Sequence, residues 1–512
     1  MVEPRRDPDP GRALALSAGL LAFLSLAGGC ATTEPFGSHL ASESPVVREC
    51  AGWYRDLEAR IGAAGVGDAQ DTAVQGFPYL RVSRLLEALK PPAGNERSVE
   101  ALGERMLLLG LEAKRFELRN LASAADRPEP AGALGLGQVF ERTAGCGRLL
   151  LEIDLAKPES RAEMLERARV PDDYSLAQRV LGLYALTRIP FAQGVRRYER
   201  EVRAAFARDL ALPANTVLLR YAPPPLHRPM PRSRVEAILA VTADDALGIP
   251  EPTEADLSDL LQAYAPSFEV EVRADYDRFG EMRWFRGERS PGVDASHVVV
   301  YAHPAWTRYQ GKVLLQLVYT IWFPERPPQG EGDLLAGRLD GVVWRVTLAP
   351  DGEPLLFDSI HPCGCFHMFF PTPRAHARPA PDGLEEWAFA PQALPRFAPG
   401  ERAVLRIATG THYLERVSAV SGSDSLAHYE IRPYAELRSL QRLDGGRSSM
   451  FGPDGLVPGT ERPERRLFWP MGIRSAGAMR QWGRQATAFV GRRHFDDPDL
   501  IEKRFALELA PR

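Results

Sequence analysis

The segment His361-Pro362-Cys363-Gly364-Cys365-Phe366-His367 puts two imidazoles and two thiols into one short stretch. Imidazole and thiolate are the donors that zinc and copper prefer, so His361, Cys363, Cys365 and His367 form a candidate metal site. The four donors alternate along the chain. On an extended backbone neighbours two apart would stand ~6.6 Å from one another, too far for all of them to reach one ion. Pro362 and Gly364 imply a bent loop instead, which gathers two or three donors and borrows the rest; His303 and His412 are the candidates for that role. The same thiols have two competing readings. In an oxidising compartment Cys363 and Cys365 form a structural disulfide, or they act as a redox-active pair. The spacing fits neither a zinc finger nor the Cys-x-x-Cys-His of haem attachment, so metal, disulfide and thiol exchange all stay open.

The compartment is written at the other end of the chain. Ala13 to Leu26 is an apolar run preceded by Arg5, Arg6 and Arg12 and closed by Ala27-Gly28-Gly29-Cys30. The run is short for a membrane span and has the length of a signal-peptide core. Its ending resembles the lipobox of bacterial lipoproteins. That resemblance implies cleavage before Cys30, acylation of Cys30 and anchorage by an N-terminal lipid. Ala31 stands where retention in the inner membrane would place Asp, which implies the periplasmic side of the outer membrane. The resemblance covers these residues alone, and no family is recognised for the body. With Cys30 acylated, four of the five cysteines remain. The local pairing, Cys50 with Cys146 and Cys363 with Cys365, is slightly favoured over crossed links.

The chain has 512 residues, 45% hydrophobic and 25% charged, with a formal net charge of −4. These values fit a globular body and, with no Lys/Arg run, argue against a nucleic-acid partner. No Gly-x-Ser-x-Gly, Ser-x-x-Lys, His-Glu-x-x-His or phosphate loop occurs, so catalytic residues are not assigned and an enzymatic role is left open. Glu331, Asp333, Asp340 and Asp358 flank the β region and read as solvated turn residues.

The elements that must position these groups fall into two halves. Residues 1–29 read as a signal peptide and 30–48 as a lipidated tether rich in Thr, Ser, Glu, Gly and Pro. Residues 49–215 read as helical, with Val195, Tyr198, Val202, Phe206 and Leu210 on one helix face. Ser160 with Glu163 and Ser175 with Gln178 have the spacing of capping boxes. The prolines from Pro223 to Pro231 make residues 216–267 a stiff linker and connecting segment. In 268–440, Val298–Tyr301, Val313–Phe323, Val342–Leu348, Leu355–Phe357, Ala403–Ile407, His412–Val417 and Tyr429–Arg432 are strand-like, and Pro350-Asp351-Gly352 predicts a hairpin turn. Residues 441–512 read as an irregular segment packing on the β domain. The fold class expected is α+β, a helical N-terminal half followed by a mostly antiparallel β-rich half. The expected function is a membrane-anchored lipoprotein with a binding or structural role, with an envelope protein as a further expected partner. The alternatives are a zinc- or copper-dependent enzyme, or a thiol–disulfide protein, both centred on residues 361–367.

Overall fold

The computed structural model describes residues 35–510, except 92–94, 124–134, 226–229, 242–245, 288–289 and 422–426. The signal segment and Cys30 lie outside the described residues. Helices dominate the first half and mostly antiparallel sheets the second, which is the α+β order read from the sequence.

Three helices, Pro45–Ala64, Glu96–Leu121 and Leu136–Ala156, carry the N-terminal core. Leu102, Met106 and the neighbouring Val99 recur at three- and four-residue spacing, so one stripe of the middle helix is buried. Asn95 starts that helix by accepting a hydrogen bond from the Ser98 amide, 3.2 Å. A two-stranded hairpin, β1 (Thr72–Val74) and β2 (Phe77–Val82), lies across it. Gly110 permits the crossing: a Cβ there would stand 2.2 Å from the Tyr79 carbonyl oxygen. Val82, inside the stretch read as helical, ends β2 instead, and Ser83 caps the short Arg84–Ala88 helix. The Cys50–Cys146 disulfide joins the first and third helices.

The tether is shorter than composition suggested. Pro35–Leu40 is a helix whose His39 is buried, its Nε2 3.0 Å from the Asp154 carboxylate. A buried imidazole with a carboxylate partner docks the chain from Pro35 onward, although its neighbours are small and polar.

The second half is a pair of sheets. Strands β3 (Val217–Ala222) and β4 (Ser267–Val272) pair antiparallel. The small β5 (Glu281–Arg283) and β6 (Gly292–Asp294) form a separate hairpin. β7 (Val299–Tyr309), β8 (Lys312–Arg326), β9 (Gly337–Leu348), β10 (Pro354–Ile360) and β11 (Met368–Pro371) follow as an antiparallel meander. β12 (Ala375–Ala377) leaves the meander, β13 (Glu401–Ile407) and β14 (Leu414–Ser421) form a further hairpin, and β15 (Ala427–His428) and β16 (Glu430–Pro433) close the set. The six-stranded sheet has the order β11-β10-β9-β8-β7-β16, and the five-stranded sheet β14-β13-β4-β3-β15. Phe268, Leu317, Phe323, Trp344 and Leu405 fill the space between them. The predicted hairpin at Pro350-Asp351-Gly352 joins β9 to β10, closed by the Ala349 amide donating to Glu353 O, 2.8 Å.

β8 and β9 are buried on both faces, which explains why their sequences run apolar rather than alternating. The second face is covered by the C-terminal segment, where Met450, Phe451, Val457 and Met479 pack on Trp322, Tyr301 and Leu339.

Two boundaries differ from the sequence reading. β3 enters the five-stranded sheet before the prolines, and Val235, Ile238 and Leu260 after them join the same core, so residues 216–267 belong to the β half. Proline content could not show that the flanking chain pairs in one sheet. The Tyr184–Ala207 helix also lies on the β half, with Phe206 against Phe370 and Tyr198 against Phe366. It ends before Leu210, which is exposed. Ser175 caps its helix as read, whereas Ser160 sits inside one and donates to Asp154.

Candidate functional sites

Residues 361–367 form the turn between β10 and β11. Gly364 (φ 91°) and Phe366 (φ 62°) are left-handed, and a Cβ on Gly364 would meet the Ala486 carbonyl oxygen at 2.3 Å. The bend sends the two imidazoles to separate carboxylates and leaves the two thiols beside each other. His361 Nδ1–H donates to Asp340 Oδ1, 3.0 Å, whereas His367 Nε2–H donates to Asp358 Oδ2, 3.0 Å. Asp358 is also gripped by both arms of the Arg345 guanidinium at 2.9 and 2.6 Å. Cys363 and Cys365 are not bonded to each other; the Cys365 amide donates to Cys363 Sγ at 3.4 Å. Among the described residues, no three of His303, His361, Cys363, Cys365, His367 and His412 bring ligand atoms within 4.8 Å of one another. The structure thus does not gather these donors into one ligand set. His361 and His367 are each tied to a buried carboxylate, and a donor's place in the sequence says nothing of that carboxylate.

Asp340 and Asp358, read as solvated, are wholly buried. Asp340 brings His361 together with His412, whose Nδ1 is 2.9 Å from its other oxygen, and Arg462 stands 3.7 Å away. Burial alone would raise the Asp340 carboxyl, but His361, His412 and Arg462 hold it well below the usual carboxylate range. Burial lowers His361, which stays neutral. His412 is raised, because Asp277 at 3.5 Å and Asp340 outweigh its burial. Its ring stacks on Phe323 at 3.9 Å, and its backbone is left-handed (φ 54°). The chain Asp277–His412–Asp340–His361 thus favours the cation on His412, between two carboxylates, and disfavours it on His361. The Cys365 thiol is pushed up, first by its contact with Cys363 and then by burial, so at neutral pH it is not a thiolate nucleophile.

A second site is a cavity of about 800 Å³ between the halves. It contains none of residues 361–367. β16 pairs with β7 only as far as Ala302, and Pro304 lies on the stretch of β7 edge beyond it, facing the Glu96–Leu121 and Glu254–Ala263 helices. Asp71, His303, Trp306 and Trp482 line the space. Asp71 is only 8% exposed, and among the described residues its carboxyl has no hydrogen bond and no ion pair. Burial pushes it up to about 7, with Arg438 opposing and Glu112 assisting. His303 is lowered to about 4 by burial. Its Nδ1 lies 3.0 Å from the Pro304 carbonyl oxygen, which only accepts, so Nδ1 carries the proton and the partnerless Nε2 is a bare acceptor. Sequence reasoning singled out His303 but not Asp71. Its neighbours Arg438 and Glu112 are remote in the chain, and no local signal marks it.

Glu281, Asp294 and His297 bring ligand atoms within 4.8 Å at the surface. Arg432 at 2.7 Å from Glu281 and Arg283 at 2.6 Å from Asp294 already balance them. Elsewhere on the surface, Leu181, Leu183 and Leu186 are 73%, 62% and 64% exposed, and no acidic residue occurs from Leu176 to Tyr198.

No family model, curated protein or solved structure matches this chain.

Proposed function

We propose that the protein is a lipid-anchored binding protein of the bacterial envelope, held at the periplasmic face of the outer membrane through Cys30, with its ligand site in the cavity between the two halves. The observation that carries the binding role is the cavity itself, with an unpaired, nearly buried carboxyl in its wall. A protein that needed only to be stable would pair or solvate that group, because an uncompensated buried carboxyl costs free energy. Anchorage is supported by the lipobox-like Ala27-Gly28-Gly29-Cys30 and by the exposed apolar, arginine-flanked Leu176–Leu186 surface. Among the described residues no helix is long and apolar enough to cross a membrane. The test has two arms. Cys30→Ala should abolish lipid labelling and release the chain from membranes, and continued membrane association of an unprocessed chain would refute lipid anchorage. Ser258→Trp, an exposed cavity-wall position, should block binding of a neutral aromatic probe such as 2-phenylethanol, followed by thermal shift; unchanged binding would refute the cavity as the site.

The adjacency of the free thiols Cys363 and Cys365 is the one observation for thiol–disulfide exchange as a second reading, and the raised Cys365 thiol weighs against it. It requires their reversible oxidation in protein taken from the cell, read by mass mapping; permanently reduced thiols would exclude it.

A further inference from the structure

We propose that the cavity takes a ligand with an apolar, aromatic-sized body and one protonated amine, the ammonium resting on the Asp71 carboxylate. This rests on the reading of the cavity as the ligand site and adds the chemical class of what it holds.

The argument is an accounting of donors and acceptors. Every arginine in the wall is already engaged. Arg84 pairs with Asp173 at 2.9 Å and Asp496 at 3.2 Å, and Arg105 pairs with Glu251. Arg432 pairs with Glu281 at 2.7 Å and Glu430 at 2.8 Å, and Arg438 with Asp68 at 2.6 Å and with Glu112. An anionic ligand would have to break one of these pairs. The Trp306 indole N–H is likewise taken, donating to the Pro250 carbonyl at 2.7 Å. Of the buried polar groups in the wall, those left over are the Asp71 carboxyl and His303 Nε2, both acceptors when Asp71 is ionised; Gln70, Glu254, Ser258 and the Trp482 indole line its more open part. A buried acceptor without a donor is costly, so the complementary ligand brings N–H groups and positive charge. Trp306 and Trp482 supply aromatic walls for an apolar body and faces that favour a nearby cation. The volume, about 800 Å³, lies within the range of small-molecule sites.

The pH dependence follows from what surrounds Asp71. The charged groups acting on it are Arg438 from the 3-10 turn Tyr434–Arg438, Glu112 from the Glu96–Leu121 helix, Arg81 from β2 and Asp68 from its own loop. Burial leaves Asp71 half protonated near pH 7. Below that, binding an ammonium must first remove a proton, so affinity falls by about tenfold per pH unit.

The experiment titrates the purified full chain by calorimetry with 2-phenylethylamine, 2-phenylethanol and phenylacetate, at pH 6 and pH 8. The amine should bind at least tenfold more tightly than the alcohol at pH 8 and lose most of that advantage at pH 6, and phenylacetate should bind worst. Asp71→Asn is nearly isosteric and relieves a buried charge, so it should fold; it should erase the amine's advantage and leave the alcohol's affinity as it was. Equal binding of amine and alcohol, or the same preference in Asp71→Asn, overturns the ammonium proposal while the cavity reading stands. Tightest binding of phenylacetate overturns it with the opposite sign. Failure of all three probes to bind removes the cavity reading and the proposal together.

Discussion

Reduction of the Cys50–Cys146 bond should cost the helical half a large part of its stability. The two cysteines are 96 residues apart in sequence, and their bond ties the Pro45–Ala64 helix to the Leu136–Ala156 helix across the Glu96–Leu121 helix. Closing so long a loop in the unfolded chain removes conformational entropy equivalent to about 4.7 kcal/mol in the chain-entropy account. A cooperative unit is commonly stable by only about 5–15 kcal/mol. The native side loses little on reduction, because both sulfurs are buried among Tyr54, Leu107 and Leu150 and two thiols fit that apolar setting. The assay is urea unfolding followed by far-ultraviolet circular dichroism, with and without reductant, alongside the Cys50→Ala/Cys146→Ala double variant. Cys363 and Cys365 are thiols already, so reductant alters no other bond between described cysteines. With a urea slope of about 3 kcal/mol per molar, the helical transition should move down by roughly 1.5 M. An unchanged midpoint, with both thiols shown by mass to be reduced, would refute the loop-entropy reasoning for this bond.

Asp358→Asn should destabilise the β half by about 3–5 kcal/mol, because it leaves the buried Arg345 guanidinium without its ionic partner; a melting temperature within a degree of wild type would show that the pair carries no such weight. Burial lowers His494, but Asp173 and Asp497 raise it further, to about 9, so its charge stabilises the fold fully below its unfolded value near 6.5 and the contribution is lost as pH rises through 9. The contribution is on the order of 3 kcal/mol; the fall in stability between pH 7 and pH 10 should be shallower in His494→Gln, and an unchanged slope would mean another group governs it.

The sequence by itself determined the order of the halves, because helical and strand periodicities are local properties of short windows. It also determined the β9–β10 hairpin: two apolar runs flank a Pro-Asp-Gly turn, and loop chemistry sets their pairing. A slight preference for local links among four cysteines suggested the Cys50–Cys146 pairing that the structure holds, along with a Cys363–Cys365 bond that it does not. What lay beyond the sequence was everything that depends on partners remote in the chain. The His361–His367 segment is conspicuous in composition, yet its two imidazoles answer to Asp340, which also holds His412 from the β13–β14 turn, and to Asp358, whose partners Arg345 and His367 meet the C-terminal Phe495. Pro223 to Pro225 looked like a boundary, but the strand before them and the helices after them share one core. Asp71 carries no signal in the sequence. Only tertiary packing set it beside Arg438, whose charge Asp68 and Glu112 already consume, and left it unpaired in a cavity wall. Local pattern fixes backbone conformation because its energy is local, whereas the charge state and free valence of a buried group are set by whichever distant residues the fold brings to it.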